Sequence, residues 1–402
     1  MPRTGGLTGG SMRIAQLPLS VREIVKPLGR MVAFVVGAGA VFSAVMILLA
    51  LLFKGSAADR QLIEYMDVGI LPYTISILPQ VLIDGVTLGF VYAAIALGYT
   101  MVYGVLEFIN FAHSEIFAIG AFAGVEFLLF MERLGILSGA TGLFAYMLLV
   151  MAVLAGMMAS GTAAVIVERT AYRPLRNAPR IVPLISAIGV SFILQDLIRL
   201  VESLTSGQFH RIFPTFGPFD DRVALFSFDM KMGPVDVDIQ VKSIVVIVAA
   251  VLMLVGLNYI VNATRIGKAI RAVAQDRSSA SLMGVYVNGV IAFTFLLGGA
   301  LGGAAGVLYA LKFTRIDPFI GFFPGMKAFT AAVLGGIGNL TGALLGGIVL
   351  GMLESFAGAY LTTFTMGAMG AEYKDIIAFA ILILILIFRP SGLLGEQVSQ
   401  KA

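Results

Sequence analysis

The sequence predicts an all-α membrane protein, a polytopic helical bundle of about ten segments. Hydrophobic residues make up 59% of its 402 residues and charged residues only 12%, whereas a typical globular chain carries roughly 25% charged residues. Several apolar windows reach the length of about 20 residues that a helix needs to cross a bilayer. The alternating segments of about 10 residues that are typical of a transmembrane β-barrel do not occur in the sequence.

Residues 1–78 are predicted to form an N-terminal tail, an extra membrane span and an outer loop. Residues 1–30 are polar, with five basic residues against Glu23, and the apolar run 31–53 follows them. The long polar start and the length of the apolar run favour a retained span over a cleaved signal peptide. The small residues at 55–58 keep cleavage open as the alternative.

The apolar windows that follow divide residues 79–395, and residues 396–402 form a short C-terminal tail. Windows 115–131 and 324–338 are short for a complete crossing. The 47 glycines of the chain suit close helix packing and interrupted helices. The windows are 79–103, 115–131, 143–168, 181–203, 243–262, 288–311, 324–338, 343–362 and 373–388.

The distribution of Lys and Arg predicts the orientation. If the N-terminus is cytoplasmic and all ten segments cross, the inner loops hold 15 basic residues and the outer loops hold 9. Because cytoplasmic loops collect basic residues, this bias predicts a protein of the plasma (inner) membrane with both termini in the cytoplasm. The longest outer loop, 205–240, is rich in Asp, Phe and Pro and is expected to be the main ordered element outside the membrane.

A charged island at residues 264–287 interrupts the apolar sequence. Apolar residues at helical spacing predict a short amphipathic helix, and Gly284 marks its expected end. A membrane protein that keeps such a helix between two spans is expected to present it to a soluble partner. The alternative is a plain basic cytoplasmic loop that only fixes the topology. The charged residues of the island are Arg265, Lys268, Arg271, Asp276 and Arg277.

Two stretches of the chain suggest an internal symmetry. Window 79–103 is followed by a break at 104–114 and a short helix, and window 288–311 is followed by a break at 312–323 and another short helix. In the predicted topology the two units run in opposite directions. Inverted units with interrupted helices commonly place the transport path at the breaks.

The first break carries polar groups that are candidates for the substrate path. Asn110 or Ser114 is expected to cap helix 115–131. The amides at the start of that helix carry partial positive charge and can meet a substrate carboxylate or Glu115 itself. His113 lies in the same break, and capping with interfacial packing is the alternative reading of all four residues. In the second kink, 334–342, Asn339 or Thr341 is the expected cap, with tight turn packing as the favoured role.

Ionisable residues inside the apolar windows need partners or water, because an unpaired charge in a bilayer costs a few kcal/mol. Asp196 and Arg199 are three residues apart and are expected to pair. Lys327 is expected to extend its ammonium toward the membrane surface. Asp84 is a further acid of this kind. Glu126 and Glu354 have no partner nearby in the sequence, which makes them the better candidates for the transport path.

Several function classes are disfavoured by the composition. Without cysteine and with only two histidines, no metal site is expected. No phosphate-binding loop occurs, since Ala269 follows Gly267 and Lys268 where Ser or Thr is required. No catalytic set converges, so the chain is not expected to be an enzyme or to bind a cofactor. The net charge of +4 reflects loop residues and does not indicate nucleic-acid binding.

Several groups of residues carry a resemblance to a known family. They are GVTLG at 85–89, ALGYTMVYG at 96–104, INFAH at 109–113, the island at 264–284, GMKAFTAAVLGGIG at 325–338 and YKD at 373–375. They resemble the branched-chain amino acid ABC transporter permeases of the LivH type, and the resemblance covers roughly residues 80–395.

The resemblance implies that 264–287 is a coupling loop whose short helix docks into an ATPase. It implies a second permease subunit, giving a heterodimer, two cytoplasmic ATPase subunits that use ATP, and an extracytoplasmic solute-binding protein. The coupling residues would be Arg271, Gln275, Asp276, Ala280, Ser281 and Gly284. Ser114 departs from the family where Gly is usual after the His, and Gln275 stands where an acid often precedes Asp276. Residues 1–78 are outside the usual pattern.

The leading hypothesis is therefore a permease domain at 79–395, which serves an ATP-driven importer of branched-chain or related amino acids. Leucine, other amino acids, amides and urea all suit relatives of this family. The alternative is a stand-alone secondary transporter or channel driven by an ion gradient, which would use Glu126 or Glu354 to carry ions.

Overall fold

The structure is a computed structural model that describes residues 19–106, 108–176, 178–179, 181–230, 233–389 and 391–394. The first part of the predicted N-terminal tail, 1–18, and the C-terminal tail, 396–402, lie outside these residues. The α-helices are, in chain order, α1 (Leu19–Leu52), α2 (Ala57–Met66), α3 (Ile70–Leu106), α4 (His113–Arg133), α5 (Gly142–Val167), α6 (Ile181–Ser206), α7 (Val241–Ala263), α8 (Arg265–Gln275), α9 (Arg277–Leu282), α10 (Val287–Phe313), α11 (Phe322–Gly335), α12 (Leu340–Phe364) and α13 (Lys374–Phe388). The strands are β1 (Arg211–Ile212), β2 (Arg222–Met230), β3 (Gly233–Gln240) and β4 (Arg315–Ile316).

Every apolar window of the sequence coincides with a helix, which confirms the helical membrane bundle. Among the described residues, eight helices are long and apolar enough to cross a membrane. Helices α11 and α13, with 14 and 15 residues, are shorter than a full crossing requires. The window 115–131, which we expected to be short, lies in the 21-residue helix α4. That expectation was wrong because the polar break ends earlier, so that α4 already begins at His113.

The centre of the bundle is an antiparallel pair formed by α3 and α12. Gly351 contacts the backbone of Gly89 so closely that a methyl group on Gly351 would lie 2.1 Å from the Gly89 amide nitrogen. Further along the pair, the Tyr360 hydroxyl donates to the Thr74 carbonyl at 2.9 Å. Without a hydrophobic driving force between helices in lipid, such close backbone approach through small residues holds them together.

Helices α4, α5 and α10 form a second close-packed group beside this pair. A methyl group on Gly303 of α10 would lie 2.3 Å from the Gly156 carbonyl oxygen of α5. The buried Ser160 hydroxyl donates to the Ile116 carbonyl of α4 at 2.7 Å. The small residues of three helices therefore fix their mutual distances.

The bundle has two ends that can be told apart. At one end, which we call the island end, α3 finishes at Leu106 beside α8 and α9. At the other, which we call the hairpin end, β2 and β3 form an antiparallel hairpin whose Asp238 amide donates to Gln80 of α3 at 3.2 Å. Helix α3 runs toward the island end and α10 runs away from it, which are the opposite directions predicted for the two units.

The region that precedes the bundle consists of α1 and α2. Helix α1 packs against α3, α7 and α12. A turn at 53–56 leads into α2, whose start is capped by the Ser56 hydroxyl. The buried carboxylate of Asp59 accepts from the amides of Gly55 and Ile70, each at 2.7 Å, so that it joins both ends of the connection between α1 and α3. These two hydrogen bonds lower the pKa of the Asp59 carboxyl.

The charged island is not one helix, as the sequence predicted, but two. Helix α8 ends at Gln275, and Asp276, in an extended conformation, caps the start of α9. Its carboxylate accepts from the Ser278 amide at 2.8 Å and from the Ser279 hydroxyl at 2.6 Å. Asp is preferred at the residue before a helix, where its carboxylate accepts from the first free amides, and is less favourable inside a helix. Asp276 therefore favours a break between α8 and α9. Gly284, with φ +84°, follows α9 and confirms the predicted end of the helical segment.

Candidate functional site

Two helix starts from different halves of the chain meet inside the bundle. Ser114, in the first turn of α4, lies so close to Gly325 of α11 that a methyl group there would be 2.4 Å from the Ser114 Cβ atom. A methyl group on Gly321, just before α11, would lie 2.3 Å from a carboxylate oxygen of Glu115. The two breaks predicted from the sequence thus end beside each other, where α4 and α11 begin. Helix starts carry partial positive charge, so their meeting creates a position that favours an anionic group.

The polar side chains at this meeting point are buried. Asn110, His113 and Glu115 are exposed by 3%, 1% and 2%. The Asn110 Oδ1 atom accepts from the Tyr172 hydroxyl at 2.6 Å, whereas its Nδ2 atom has no partner among the described residues. Glu115 Oε1 lies 3.4 Å from the Ser114 hydroxyl and 3.5 Å from the Ser191 hydroxyl of α6.

The second oxygen of Glu115, Oε2, has no hydrogen-bond partner among the described residues. Leaving a buried carboxylate oxygen without a donor is costly. A hydrogen-bond donor placed at this oxygen would therefore be favourable. Beside Tyr99, Asn110 and Phe329 lies a small cavity of about 10 Å³.

The capping predictions had different outcomes. Neither Asn110 nor Ser114 caps α4: Ala112 precedes the helix, and the Ser114 hydroxyl donates to the Phe111 carbonyl at 2.7 Å. Asn110 is instead held by Tyr172, a partner that is distant in sequence. The prediction for Asn339 is confirmed, because its side chain accepts from the Gly342 amide at 3.0 Å and caps α12.

Glu354, which has no partner nearby in the sequence, finds its partners in distant residues. Its carboxylate accepts from Lys327 at 2.9 Å, from Lys374 at 3.1 Å and from the Tyr92 hydroxyl at 2.7 Å. Lys327 also pairs with Asp375 at 2.8 Å, so it is not extended toward the membrane surface. We call Lys327, Glu354, Lys374 and Asp375 the ion-pair cluster. It ties α11, α12 and α13 together, and Tyr92 connects it to α3.

Glu126 likewise has a partner that the sequence did not reveal. Arg211 lies 2.5 Å from Glu126 and 2.7 Å from Glu202, and thus joins α4, α6 and β1. The predicted pair of Arg199 and Asp196 is confirmed at 3.1 Å. Asp84 is exposed and accepts from Gln80. These pairs mean that Glu126 and Glu354 hold helices together, whereas Glu115 remains only weakly hydrogen-bonded.

The island presents two different faces. Ile270, Val273 and Ala280 are buried against the rest of the protein, whereas Gln275, Asp276, Ser281 and Gly284 are exposed. Arg271 is exposed, and its guanidinium donates to the Val261 carbonyl. Hydrogen bonds from the Ser279 hydroxyl and from the amides of Ser279 and Ser278 lower the pKa of the Asp276 carboxyl. The capping contribution of Asp276 is therefore retained at neutral pH and lost as the pH falls through this lowered pKa.

Three large apolar side chains at the end of the island were missed in the sequence. Leu282, Met283 and Tyr286 are 88%, 85% and 71% exposed. We call them the island tip. A signal was present, since large apolar residues follow a polar stretch directly outside a membrane span. Exposed apolar patches bordered by polar residues commonly mark protein–protein interfaces.

A cavity of about 250 Å³ separates part of the island from the bundle. It is bounded by the end of α3, by Tyr172 and Arg176 in the segment after α5, by the joint between α8 and α9, and by Ile291 of α10. Arg176 pairs with the buried Glu168 and donates to the Asn288 side chain. The cavity therefore has both charged and apolar walls.

A prediction arises from the packing of His113. A methyl group on Gly98 of α3 would lie 2.3 Å from His113 Nε2 and 2.9 Å from the Gly298 carbonyl oxygen. We expect Gly98→Ala to lower the free energy of unfolding by about 1–3 kcal/mol, because the buried ring and the Gly298 backbone would both have to shift to make room for the methyl group. Thermal unfolding of the purified chain measures this loss. Gly104→Ala, on the same helix with nothing within 4 Å, is the control. Equal stability of the two variants would contradict the prediction.

Known proteins resemble most of this chain. A family model described as the permease component of branched-chain amino acid transport systems matches residues 81–386. LivH of Escherichia coli K12, named a high-affinity branched-chain amino acid transport system permease protein, is 39% identical over 325 residues, covering 80% of this chain and 97% of the relative. BraD of Pseudomonas aeruginosa, with the corresponding name, is 38% identical over 322 residues and covers the same shares.

A more distant relative comes from Methanocaldococcus jannaschii. Its probable branched-chain amino acid transport permease protein LivH is 26% identical over 303 residues, which cover 75% of this chain and 87% of the relative. No solved structure matches the chain. The family match and the eight long apolar helices agree on a multi-pass membrane protein. The chain therefore belongs to the family of permease components of branched-chain amino acid transport systems.

Proposed function

We propose that this chain is the membrane-spanning permease subunit of an ATP-driven importer for branched-chain or related amino acids. It works in the plasma (inner) membrane with both termini in the cytoplasm, and residues 79–395 form its permease domain. Its partners are a second permease subunit, two cytoplasmic ATPase subunits that bind and hydrolyse ATP, and an extracytoplasmic solute-binding protein. The observation that carries the proposal is the island, whose buried face rests on the bundle and whose apolar tip is exposed.

Energy enters through the island in this proposal. Ile270 and Val273 anchor α8, so that a force on the exposed tip is passed to the bundle. Leu282, Met283 and Tyr286 supply the apolar contacts with which an ATPase subunit would bind. Asp276 caps the start of α9, and in this proposal it supports docking through that cap without itself touching the partner.

The substrate passes the junction of the two helix starts. A free amino acid is a zwitterion, with a carboxylate and an ammonium group. The amides at the starts of α4 and α11 attract the carboxylate, and Glu115, which has an oxygen without a donor, attracts the ammonium. His113, Ser114 and Asn110 complete the polar surface around this position. Aliphatic and aromatic walls such as Phe329 suit an apolar side chain, as in leucine.

The region before residue 79 has a peripheral role. It lies outside the family match, which begins at residue 81, and α1 covers an outer side of α3 and α12. We propose that this additional span supports or regulates the permease domain without lining the path.

The alternative, a stand-alone transporter or channel driven by an ion gradient, has less support. It requires acids in the membrane that can gain and lose ions. Glu126 and Glu354 are both paired with basic side chains, so neither is free for this task. Glu115 remains a candidate for it, and the alternative is therefore tested directly.

Reconstitution into liposomes distinguishes the two functions. With its second permease, ATPases and loaded solute-binding protein, the chain is expected to import radiolabelled leucine only when ATP is present at the ATPase side. A non-hydrolysable ATP analogue is the control. Leucine uptake by the purified chain alone, driven by a proton or sodium gradient, would overturn the proposal in favour of the alternative.

A further inference from the structure

One side chain joins the island to the end of α3. The last carbonyls of a helix have no partner within the helix, and they carry partial negative charge. The guanidinium of Arg277, the first residue of α9, lies 3.2 Å from the Val105 carbonyl oxygen and 3.3 Å from that of Leu106. Arg277 thus caps a helix that ends about 170 residues earlier in the chain.

Few other contacts join α9 to the end of α3, so this contact is the main direct link between the two helices. Helix α8 packs against both α3 and α10, whereas α9 packs against α8 and α10. The cavity of about 250 Å³ lies between the α8–α9 joint and the end of α3, so little other material fills the gap there. Among the described residues, α9 and α3 are joined by two hydrogen bonds, and Arg277 donates both of them.

The end of α3 leads directly to the candidate substrate site. Leu106 is followed by the break that contains Asn110, and the break ends at the start of α4. Tyr172, which lines the same cavity, donates from its hydroxyl to the Asn110 side chain at 2.6 Å. A displacement of α9 that carries Leu106 with it would therefore move the break relative to the buried Tyr172.

We propose that Arg277 is a positioning residue that transmits movement of α9 to the end of α3, and so to the break that carries Asn110 and Glu115. This inference rests on the proposed function, since it needs an ATPase that moves the island. Arg277 does not bind the ATPase in this scheme. Its half-buried guanidinium faces the bundle and leaves the exposed tip to make that contact.

The first test separates transmission from docking. In the complete transport complex, Arg277→Met is expected to reduce ATP-driven leucine uptake at least about tenfold, a typical size for a lost coupling between two sites. The ATPase subunits should still co-purify, and their hydrolysis should lose its stimulation by the loaded solute-binding protein. Arg277→Lys, which keeps a donor for the carbonyls, should recover part of the uptake. Lys268→Met, which removes an exposed charge of α8, is the control.

Each outcome decides one question. Normal uptake in Arg277→Met, or uptake as low in Lys268→Met, would overturn the inference. If the ATPase subunits no longer co-purified with Arg277→Met but still co-purified with Lys268→Met, the inference would also be overturned, because Arg277 would then be a docking residue. Failure of the unaltered chain to bind any ATPase would instead overturn the proposed function.

The second test measures the movement itself. The chain contains no cysteine, so spin labels can be attached at Gly104→Cys, where nothing lies within 4 Å, and at the exposed Ser278→Cys. In the complex, the distance between these labels is expected to stay the same with and without ATP, because α9 and α3 move together. With Arg277→Met added, the distance should change on ATP binding. A change without that substitution, or none with it, would contradict the inference.

Discussion

Changing Leu282 and Met283 together to aspartate is expected to reduce ATP-driven uptake to background while the chain still folds and inserts. Both side chains are more than four-fifths exposed, at 88% and 85%, so the fold loses almost no packing when they are changed. A hot-spot residue at the centre of a protein interface contributes about 2 kcal/mol or more, and two buried charges there would add a desolvation cost. Together these effects correspond to a loss of docking of about a hundredfold or greater.

The measurement is leucine uptake in the complete complex together with co-purification of the ATPase subunits. Tyr65→Asp with Met66→Asp is the matched control, because these residues of α2 are 79% and 50% exposed at the opposite end of the bundle. We expect the control to bind the ATPase normally. If the changed tip still bound the ATPase and supported uptake, the island tip would not be the docking surface.

Replacing Lys327 by methionine is expected to have the largest effect on stability. The ion-pair cluster holds two positive and two negative side chains, with Glu354 and Lys327 exposed by only 4% and 12% in their side chains. Removing Lys327 leaves one negative charge in excess between α11, α12 and α13. Breaking a buried ion pair in this way costs about 3–5 kcal/mol, because one charge stays buried without its partner. Thermal unfolding in detergent measures the loss.

The double variant Lys327→Met with Glu354→Gln is expected to regain much of this stability, since it restores a neutral cluster. Arg199→Met provides the comparison with an exposed pair, whose side chains are 45% and 70% exposed. There the loss should remain below about 1 kcal/mol. A double variant that is no more stable than Lys327→Met would show that the charge balance is not what stabilises this part of the bundle.

The sequence by itself determined the class of fold, the positions of the membrane helices and the family. These features depend on local properties: a run of apolar residues predicts a helix in lipid wherever it occurs, since only a helix satisfies its own backbone there. The cap of α12 by Asn339 and the pairing of Asp196 with Arg199 were predictable for the same reason. In each case the interacting groups are three residues apart in the sequence.

Only the tertiary structure decided which distant side chains meet. It paired Glu126 with Arg211 and Glu354 with Lys327, and it placed Arg277 against the end of α3. It also brought the starts of α4 and α11 together and left the island tip exposed. Helical spacing reveals which residues share a face, but not which other helix that face meets. That choice depends on close packing between small residues, whose fit is defined only once the whole bundle is assembled.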